Sequence, residues 1–231
     1  MIKAVVFDLD DTLISEKQYV LSGFRTVARK ISTDFFITQQ EVLEKMNQIF
    51  TTSSKMLFNK TLDELKIKYD IKYIDELITT YRKHNPIIDL YDDVIPIIKY
   101  LKQTGLKLGI ITDGYKETQT RKIDAIKIKD YFNYIIITDE LGKDFWKPSE
   151  KPYKLMSEKL GVNFNEIIYV GDNVEKDFIT ANRLGVLTVL IKREDGIYID
   201  TVKDELYYAK YNINTLIDLK RIINKDKQIQ S

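Results

Sequence analysis

With 231 residues, the chain is long enough for one sizeable domain or two small ones. Its 36 Lys and Arg residues nearly balance its 35 Asp and Glu residues, a composition that predicts neither a nucleic-acid partner nor binding to an anionic membrane. The absence of cysteine excludes disulfides, thiolate metal sites and a cysteine nucleophile, and it fits the reducing cytoplasm, where we expect the protein to reside.

Short apolar runs along the chain predict the buried strands of a parallel sheet. These runs are residues 4–7, 106–111, 134–137, 167–170 and 186–191. Each of the last four follows a stretch with helical spacing of apolar residues, and alternation of strand and helix favours an α/β fold. We therefore expect a doubly wound, five-stranded parallel sheet.

The stretch between the first two predicted strands is expected to be a helical insertion of three to five helices. Residues 38–41 read Thr-Gln-Gln-Glu, a capping-box pattern that predicts the start of a helix reaching about residue 50. Residues 57–68 and 73–83 also carry helically spaced apolar residues. The predicted division of the chain is a core of residues 1–14 and 90–223, a helical insertion of residues 15–89, and a frayed polar tail of residues 224–231.

Polar residues follow four of the predicted strands. They are Asp8, Asp10 and Thr12 after the first strand, Thr112 and Asp113 after the second, Lys147 after the third, and Asp172 and Asp177 after the fourth. In an open α/β sheet, ligands bind beyond the carboxyl ends of the strands. Because alternate residues of an extended chain point the same way, Asp8 and Asp10 should share one side of the strand tip. Two such carboxylates repel each other, which predicts a divalent cation or a shared proton between them.

Taken together, these residues resemble the haloacid dehalogenase-like hydrolase superfamily. The family pattern is Asp-x-Asp-x-Thr, a strand-terminal Thr or Ser, a Lys, and then Gly-Asp-x-x-x-x-Asp, and the sequence contains every element in this order. Each motif alone is weak evidence, but the ordered set is specific. The resemblance covers about residues 3–191, and the insertion matches the place of a helical type 1 cap, which implies a lid over the site.

The resemblance implies a phosphatase that uses Mg²⁺ to hydrolyse a small phosphorylated metabolite. Asp8 would be the nucleophile that forms an aspartyl-phosphate, and Asp10 would protonate the leaving oxygen and then accept a proton from water. The implied Mg²⁺ ligands are Asp8, the backbone carbonyl of Asp10, Asp172 and, directly or through water, Asp177. The implied phosphate-binding residues are Thr112, Asp113 and Lys147, although the family often carries Asn at the position of Asp113.

Several of these residues also have simpler interpretations. Lys143 and Lys151 compete with Lys147, which we prefer because a Lys-Pro pair directly before a helix matches the family pattern. Thr112 could be a helix N-cap, and Asp177 could interact with a helix dipole. We do not expect the single histidine, at position 84, to be catalytic, because it lies far in sequence from all four motifs.

Two other functions remain open at the level of sequence. A phosphomutase of the same family would use the same pair of aspartates, and a non-catalytic binding protein could be built on the same scaffold. A dehalogenase is disfavoured because that branch lacks the second aspartate of the first motif, which is Asp10 here. The sequence predicts neither the identity of the substrate nor an oligomeric state.

Overall fold

A computed structural model describes residues 1–196 and 204–229. The chain forms two compact units. One consists of Met1–Lys17 together with Ile88–Ser231, and the other of Gln18–Ile87. We call them the sheet unit and the helical unit. No helix in the described parts of the chain combines the length and the apolar composition that a membrane span requires.

The described part of the sheet unit contains one sheet of six parallel strands in the order β3-β2-β1-β4-β5-β6. The strands are β1 (Ala4–Phe7), β2 (Lys107–Thr112), β3 (Tyr134–Ile137), β4 (Ile167–Gly171), β5 (Leu187–Ile191) and β6 (Tyr211–Ile213). In the middle of the sheet, Phe7 of β1 lies opposite Ile110 on one side and Val170 on the other. Central strands of this kind are buried on both faces, which is why they are continuous apolar runs in the sequence.

The prediction of five strands is wrong, because β6 adds a sixth at the edge of the sheet. Its residues pair in parallel with β5, with Ile213 opposite Ile191. The strand is only three residues long, and its middle residue, Asn212, is exposed. An edge strand pairs on one side only, so its sequence need not carry the apolar run that identifies a central strand.

The nine described helices comprise five between β1 and β2 and one after each of β2, β3, β4 and β6. They are α1 (Glu16–Phe35), α2 (Gln39–Phe50), α3 (Leu57–Glu64), α4 (Ile71–Lys83), α5 (Val94–Gln103), α6 (Lys116–Ile126), α7 (Lys151–Leu160), α8 (Ile179–Arg183) and α9 (Leu219–Ile229). Helix α9 continues past residue 224, where the sequence analysis predicted a frayed tail. Leu219, Ile222 and Ile223 are buried, and their spacing gives the helix one apolar side that holds it in place.

The helical unit has an apolar core of its own. The core residues are Val20, Phe24, Val27, Ala28, Ile31, Val42, Met46, Ile49, Leu57, Leu62, Ile74 and Leu77. The Thr38 side chain accepts a hydrogen bond from Glu41 N–H at 3.2 Å and so caps α2. His84 packs within this unit, where its ring lies 4.8 Å from the Tyr19 ring and its Nδ1 lies 2.6 Å from the Tyr81 carbonyl oxygen.

An ion pair connects the loop after β5 to the start of α5. The Arg193 guanidinium donates to both carboxylate oxygens of Asp93, at 2.8 and 3.0 Å, and to the Thr12 carbonyl oxygen at 2.7 Å. Asp93 also accepts hydrogen bonds from the Thr215 hydroxyl and the Leu216 N–H. Burial by itself would raise the pKa of Asp93, but these donors outweigh it and hold the pKa below its usual range. The network ties the turn that follows β1 to three other segments of the sheet unit.

We expect Asp93→Asn to lower the free energy of unfolding by about 2 kcal/mol at pH 7, because hydrogen bonds to charged groups contribute about 1.5–3 kcal/mol. Since the folded pKa of Asp93 is depressed, its carboxylate stabilises the fold above the ordinary value of 3.8, and this contribution is lost as the pH falls further. The difference from wild type in urea unfolding should therefore shrink between about pH 4 and pH 2. Asp92→Asn, at the exposed neighbouring residue, is the control. A difference that stays constant over this range would contradict the assignment.

Candidate active site

The turn after β1 places two aspartates at the carboxyl edge of the sheet. The Asp8 N–H donates to the Val170 carbonyl at 2.8 Å, which extends the pairing of β1 with β4 by one residue. The turn then closes on itself, since Leu13 N–H donates to the Leu9 carbonyl at 2.8 Å. Asp8 is 2% exposed, whereas the Asp10 side chain keeps 17% of its surface accessible. The two aspartates therefore meet different surroundings at the same strand end.

Three carboxylates and one lysine form the centre of the site. Asp8, Asp172 and Asp177 each offer an oxygen, and these oxygens lie within 4.8 Å of one another. The Lys147 Nζ donates to Asp8 Oδ1 at 2.8 Å and to Asp177 Oδ1 at 2.7 Å. The third carboxylate, of Asp172, accepts a hydrogen bond from the Thr12 hydroxyl at 3.4 Å. One lysine thus offsets only part of the negative charge of this cluster.

The pKa values of the cluster reflect this imbalance. Burial raises the pKa of Asp8 to about 6 against the opposing attraction of Lys147, and burial together with Asp177 and Asp8 raises that of Asp172 well above its usual range. Burial would also raise the pKa of Asp177, but Lys147 and Lys176 outweigh it and lower the value. Burial would lower the pKa of Lys147, yet the carboxylates of Asp177 and Asp8 hold it well above its usual range. A site of three oxygen donors with unbalanced negative charge suits a hard divalent cation.

Asp177 occupies its place because β4 ends in glycine. A Cβ at position 171 would clash with the Asp177 carboxylate, so only Gly171 allows this close approach. The carboxylate accepts hydrogen bonds from the Tyr169 hydroxyl at 3.2 Å and from Asn173 N–H at 3.0 Å, in addition to the bond from Lys147. Asp177 is therefore fully engaged with the protein and holds Lys147 in position.

Asp10 lies outside this cluster and is held by a second lysine. The Lys122 Nζ donates to Asp10 Oδ1 at 2.7 Å, and Gln119 Nε2 donates to Asp10 Oδ2 at 3.0 Å. Gln119 Nε2 also donates to the Thr112 hydroxyl at 2.6 Å. Burial and the neighbouring Asp10 carboxylate raise the pKa of Glu16 to about 7, which places this glutamate close to the same group.

The side chain of Asp113 joins two loops. Its Oδ1 accepts hydrogen bonds from the Thr138 hydroxyl at 2.7 Å and from the Lys147 N–H at 3.1 Å. Lys176 Nζ lies 3.9 Å from its Oδ2. The carboxylate therefore orders the loop that carries Lys147, and the group at this position that suits a phosphate is the backbone N–H.

The other candidate residues lie apart from this chemistry. Lys151 Nζ lies 3.6 Å from the centre of the Phe145 ring, and Lys143 Nζ lies 5.2 Å from that of Tyr115. Trp146 packs edge to face on Tyr115, with their ring centres 6.1 Å apart. Of the three lysines that the sequence analysis considered, Lys147 is the one that contacts Asp8.

Sequence reasoning missed Gln119, Lys122 and Tyr169. The two α6 residues are three positions apart and hence on one side of the helix, and both are buried. Buried polar residues at that spacing, directly after the Thr112 loop, are the only local signal for them. Tyr169 sits inside an apolar strand, and nothing in its neighbours distinguishes it from a core residue.

The chain is similar to known proteins over most of its length. A family model described as haloacid dehalogenase-like hydrolase matches residues 5–191. A glyceraldehyde 3-phosphate phosphatase from Methanocaldococcus jannaschii is 35% identical over 99% of this chain and 100% of its own length. The pyrophosphatase PpaX from Halalkalibacterium halodurans is 27% identical over 82% of this chain and 83% of its own length. A solved HAD phosphatase structure from Thermococcus onnurineus has a TM-score of 0.63 and 28% identity, covering 96% of this chain and 98% of that one.

Proposed function

Because this chain belongs to the haloacid dehalogenase-like hydrolase family, we propose that it is a Mg²⁺-dependent phosphatase that hydrolyses a small phosphomonoester through an aspartyl-phosphate. The observation that carries this proposal is the contact of Asp8 with Lys147 inside a cluster of three carboxylates. Such a cluster combines a nucleophile, a cation for the phosphoryl oxygens and a set of oxygen donors for a metal.

In the proposed first step, an Asp8 oxygen forms a bond to phosphorus while the bond from phosphorus to the ester oxygen breaks. Asp10 gives its proton to that departing oxygen. In the second step, Asp10 takes a proton from a water molecule whose oxygen attacks the same phosphorus, and Asp8 is released as a carboxylate. Dividing the hydrolysis into two displacements lowers the barrier of each.

The residues that would hold Mg²⁺ are Asp8, Asp172 and the backbone carbonyl of Asp10, with Asp177 acting through water. The raised pKa of Asp172 supports this assignment, since it reflects burial of the carboxylate beside those of Asp177 and Asp8, a cost that a bound cation would offset. The engagement of both Asp177 oxygens with protein donors favours the indirect role for that residue. When bound, Mg²⁺ supplies positive charge between the anionic nucleophile and the anionic phosphate.

We assign the phosphoryl oxygens to Thr112, to the backbone N–H groups of Asp113 and Gly114, and to Lys147. Thr112 accepts a hydrogen bond from Gln119, so its own hydroxyl hydrogen remains for donation. Lys147 would carry the positive charge that the transferring group meets. The helical unit, inserted where the family has a type 1 cap, would select the substrate, and the absence of cysteine supports a cytoplasmic location.

For the substrate, we propose glyceraldehyde 3-phosphate, on the strength of the full-length similarity to the Methanocaldococcus phosphatase. We expect kcat/KM for this ester to be at least about 10-fold above that for pyrophosphate. This ratio corresponds to a difference of about 1.4 kcal/mol in the binding of the two transition states. Phosphate release should require Mg²⁺ and stop when EDTA is added.

The measurement is phosphate release from both compounds and from 4-nitrophenyl phosphate, with Mg²⁺ and with EDTA. A preference for pyrophosphate would contradict the substrate but not the phosphatase. Turnover that needs an added sugar bisphosphate would indicate a phosphomutase. If neither turnover nor Mg²⁺ binding is found, the chain would instead be a binding protein on this scaffold.

A further inference from the structure

We infer that Gln119 and Lys122 are positioning residues that fix the carboxylate of Asp10 for proton transfer, an inference that rests on the phosphatase activity proposed above. Lys122 Nζ lies 2.7 Å from Asp10 Oδ1, and Gln119 Nε2 lies 3.0 Å from Asp10 Oδ2. Each oxygen of the carboxylate therefore has its own donor. Two donors at the two oxygens fix the plane of the group and leave a lone pair on each oxygen for a proton.

Burying the charged side chain of Lys122 has a cost in desolvation free energy. Its side chain is 4% exposed, against 17% for that of Asp10. Removing an ammonium group and a carboxylate from water offsets much of their attraction, so a buried ion pair is weak evidence for a role in stability. An apolar side chain of similar size would fill the same space at less desolvation cost. The charge at this position, in contact with the proposed proton donor, favours a role in the reaction.

Gln119 connects Asp10 to the phosphate loop. Its Nε2 donates to both Asp10 Oδ2 and the Thr112 hydroxyl, and the side chain is 1% exposed. The loop backbone lies directly against it, since a Cβ at Gly114 would come within 3.1 Å of the Gln119 side chain. Gly114 has a φ of +131°, a conformation that favours glycine. One buried amide thus sets the proton donor and the phosphate-binding hydroxyl in a common arrangement.

This arrangement matters most for esters whose leaving oxygen needs a proton. The Asp10 proton must reach the ester oxygen as its bond to phosphorus breaks, and proton transfer by a positioned group contributes about 10²–10⁴-fold to a rate. 4-Nitrophenolate is a weak base and leaves without being protonated. Phenolate is a stronger base, so protonation accelerates its departure much more. Loss of the Asp10 position should therefore slow phenyl phosphate far more than 4-nitrophenyl phosphate.

The test compares these two esters in the full-length protein with Mg²⁺. For Lys122→Met we expect kcat/KM to fall about 30-fold or more with phenyl phosphate and no more than about 3-fold with 4-nitrophenyl phosphate. Gln119→Leu should lower the ratio of kcat/KM for phenyl phosphate to that for 4-nitrophenyl phosphate in the same way. Lys122→Arg, which keeps a charged donor, should retain part of the activity with phenyl phosphate that Lys122→Met loses. Lys127→Met is the matched control, because Lys127 is exposed at the far end of the same helix.

Thermal unfolding and Mg²⁺ affinity are measured for every variant. Equal losses with both esters, or no loss with either, would overturn the inference, as would a lower unfolding midpoint with an unchanged ester ratio. If the wild-type protein hydrolyses glyceraldehyde 3-phosphate but neither aryl ester, the variants are compared on that phosphate, and an unchanged kcat/KM overturns the inference. If it hydrolyses none of the three with Mg²⁺, the proposed function itself fails and this inference fails with it. Wild-type turnover combined with a changed ratio in the Lys122 and Gln119 variants supports both.

Discussion

Asp8→Asn should abolish phosphate release while leaving the protein folded. An amide cannot form the aspartyl-phosphate, and removal of a nucleophile commonly costs about 10³-fold or more in kcat. Burial already raises the pKa of Asp8 to about 6, so its ionised form at neutral pH destabilises the metal-free fold. The neutral asparagine removes the cost of burying this charge, and Lys147 keeps Asp177 as a partner.

We therefore expect the metal-free variant to unfold at a temperature equal to or above that of wild type, together with weaker Mg²⁺ binding. The measurements are phosphate release, thermal unfolding with EDTA, and Mg²⁺ titration. Asp130→Asn, at an exposed aspartate of the sheet unit, should change none of them. A variant of Asp8 that retains more than about one tenth of wild-type turnover would rule out covalent catalysis by this residue.

Lys147→Met should impair both activity and stability, and Mg²⁺ should restore only stability. The Lys147 side chain is fully buried between Asp8 and Asp177. Removing one partner of a buried ion pair costs about 3–5 kcal/mol, and here it removes the ammonium group that donates to both Asp8 and Asp177. Loss of a donor to the transferring oxygens should lower kcat about 10²–10³-fold.

Because a bound cation can offset the repulsion among the carboxylates that have lost Lys147, Mg²⁺ should raise the unfolding temperature of this variant more than that of wild type. Lys151→Met provides a matched control, since Lys151 also precedes a proline but lies on the Phe145 ring instead of beside Asp8. The assignment of Lys147 would be wrong if Lys151→Met, and not Lys147→Met, lost activity.

The sequence alone predicted much of the sheet. The bounds predicted for β1 and β3 are those of the structure, those for β4 and β5 differ by one residue at one end, and those for β2 differ by one residue at each end. Strands buried on both faces must be apolar throughout, so each leaves a continuous run that can be recognised locally. The edge strand β6 and the full length of helix α9 were not predicted. A short edge strand and a helix with one buried side are stabilised by neighbouring elements, which the local sequence does not show.

The motif spacing likewise predicted which strand ends carry the candidate site residues, and the structure brings Asp8, Lys147, Asp172 and Asp177 together there. It did not predict how their charges are shared. The alternation of residues along the strand predicted a cation or proton shared by Asp8 and Asp10, whereas the structure gives each aspartate a different lysine.

The sequence by itself thus determined the α/β class, the order of the central motifs and the family, because each leaves a local pattern of apolar runs and strand-end polar residues. Only the tertiary structure decided that Lys122 and Gln119 hold Asp10, that Asp113 orders the Lys147 loop, and that Arg193 pairs with Asp93. These contacts join residues 34 to 112 positions apart, and their strength depends on burial. Burial is a property of the packed chain, and no segment of the sequence carries it alone.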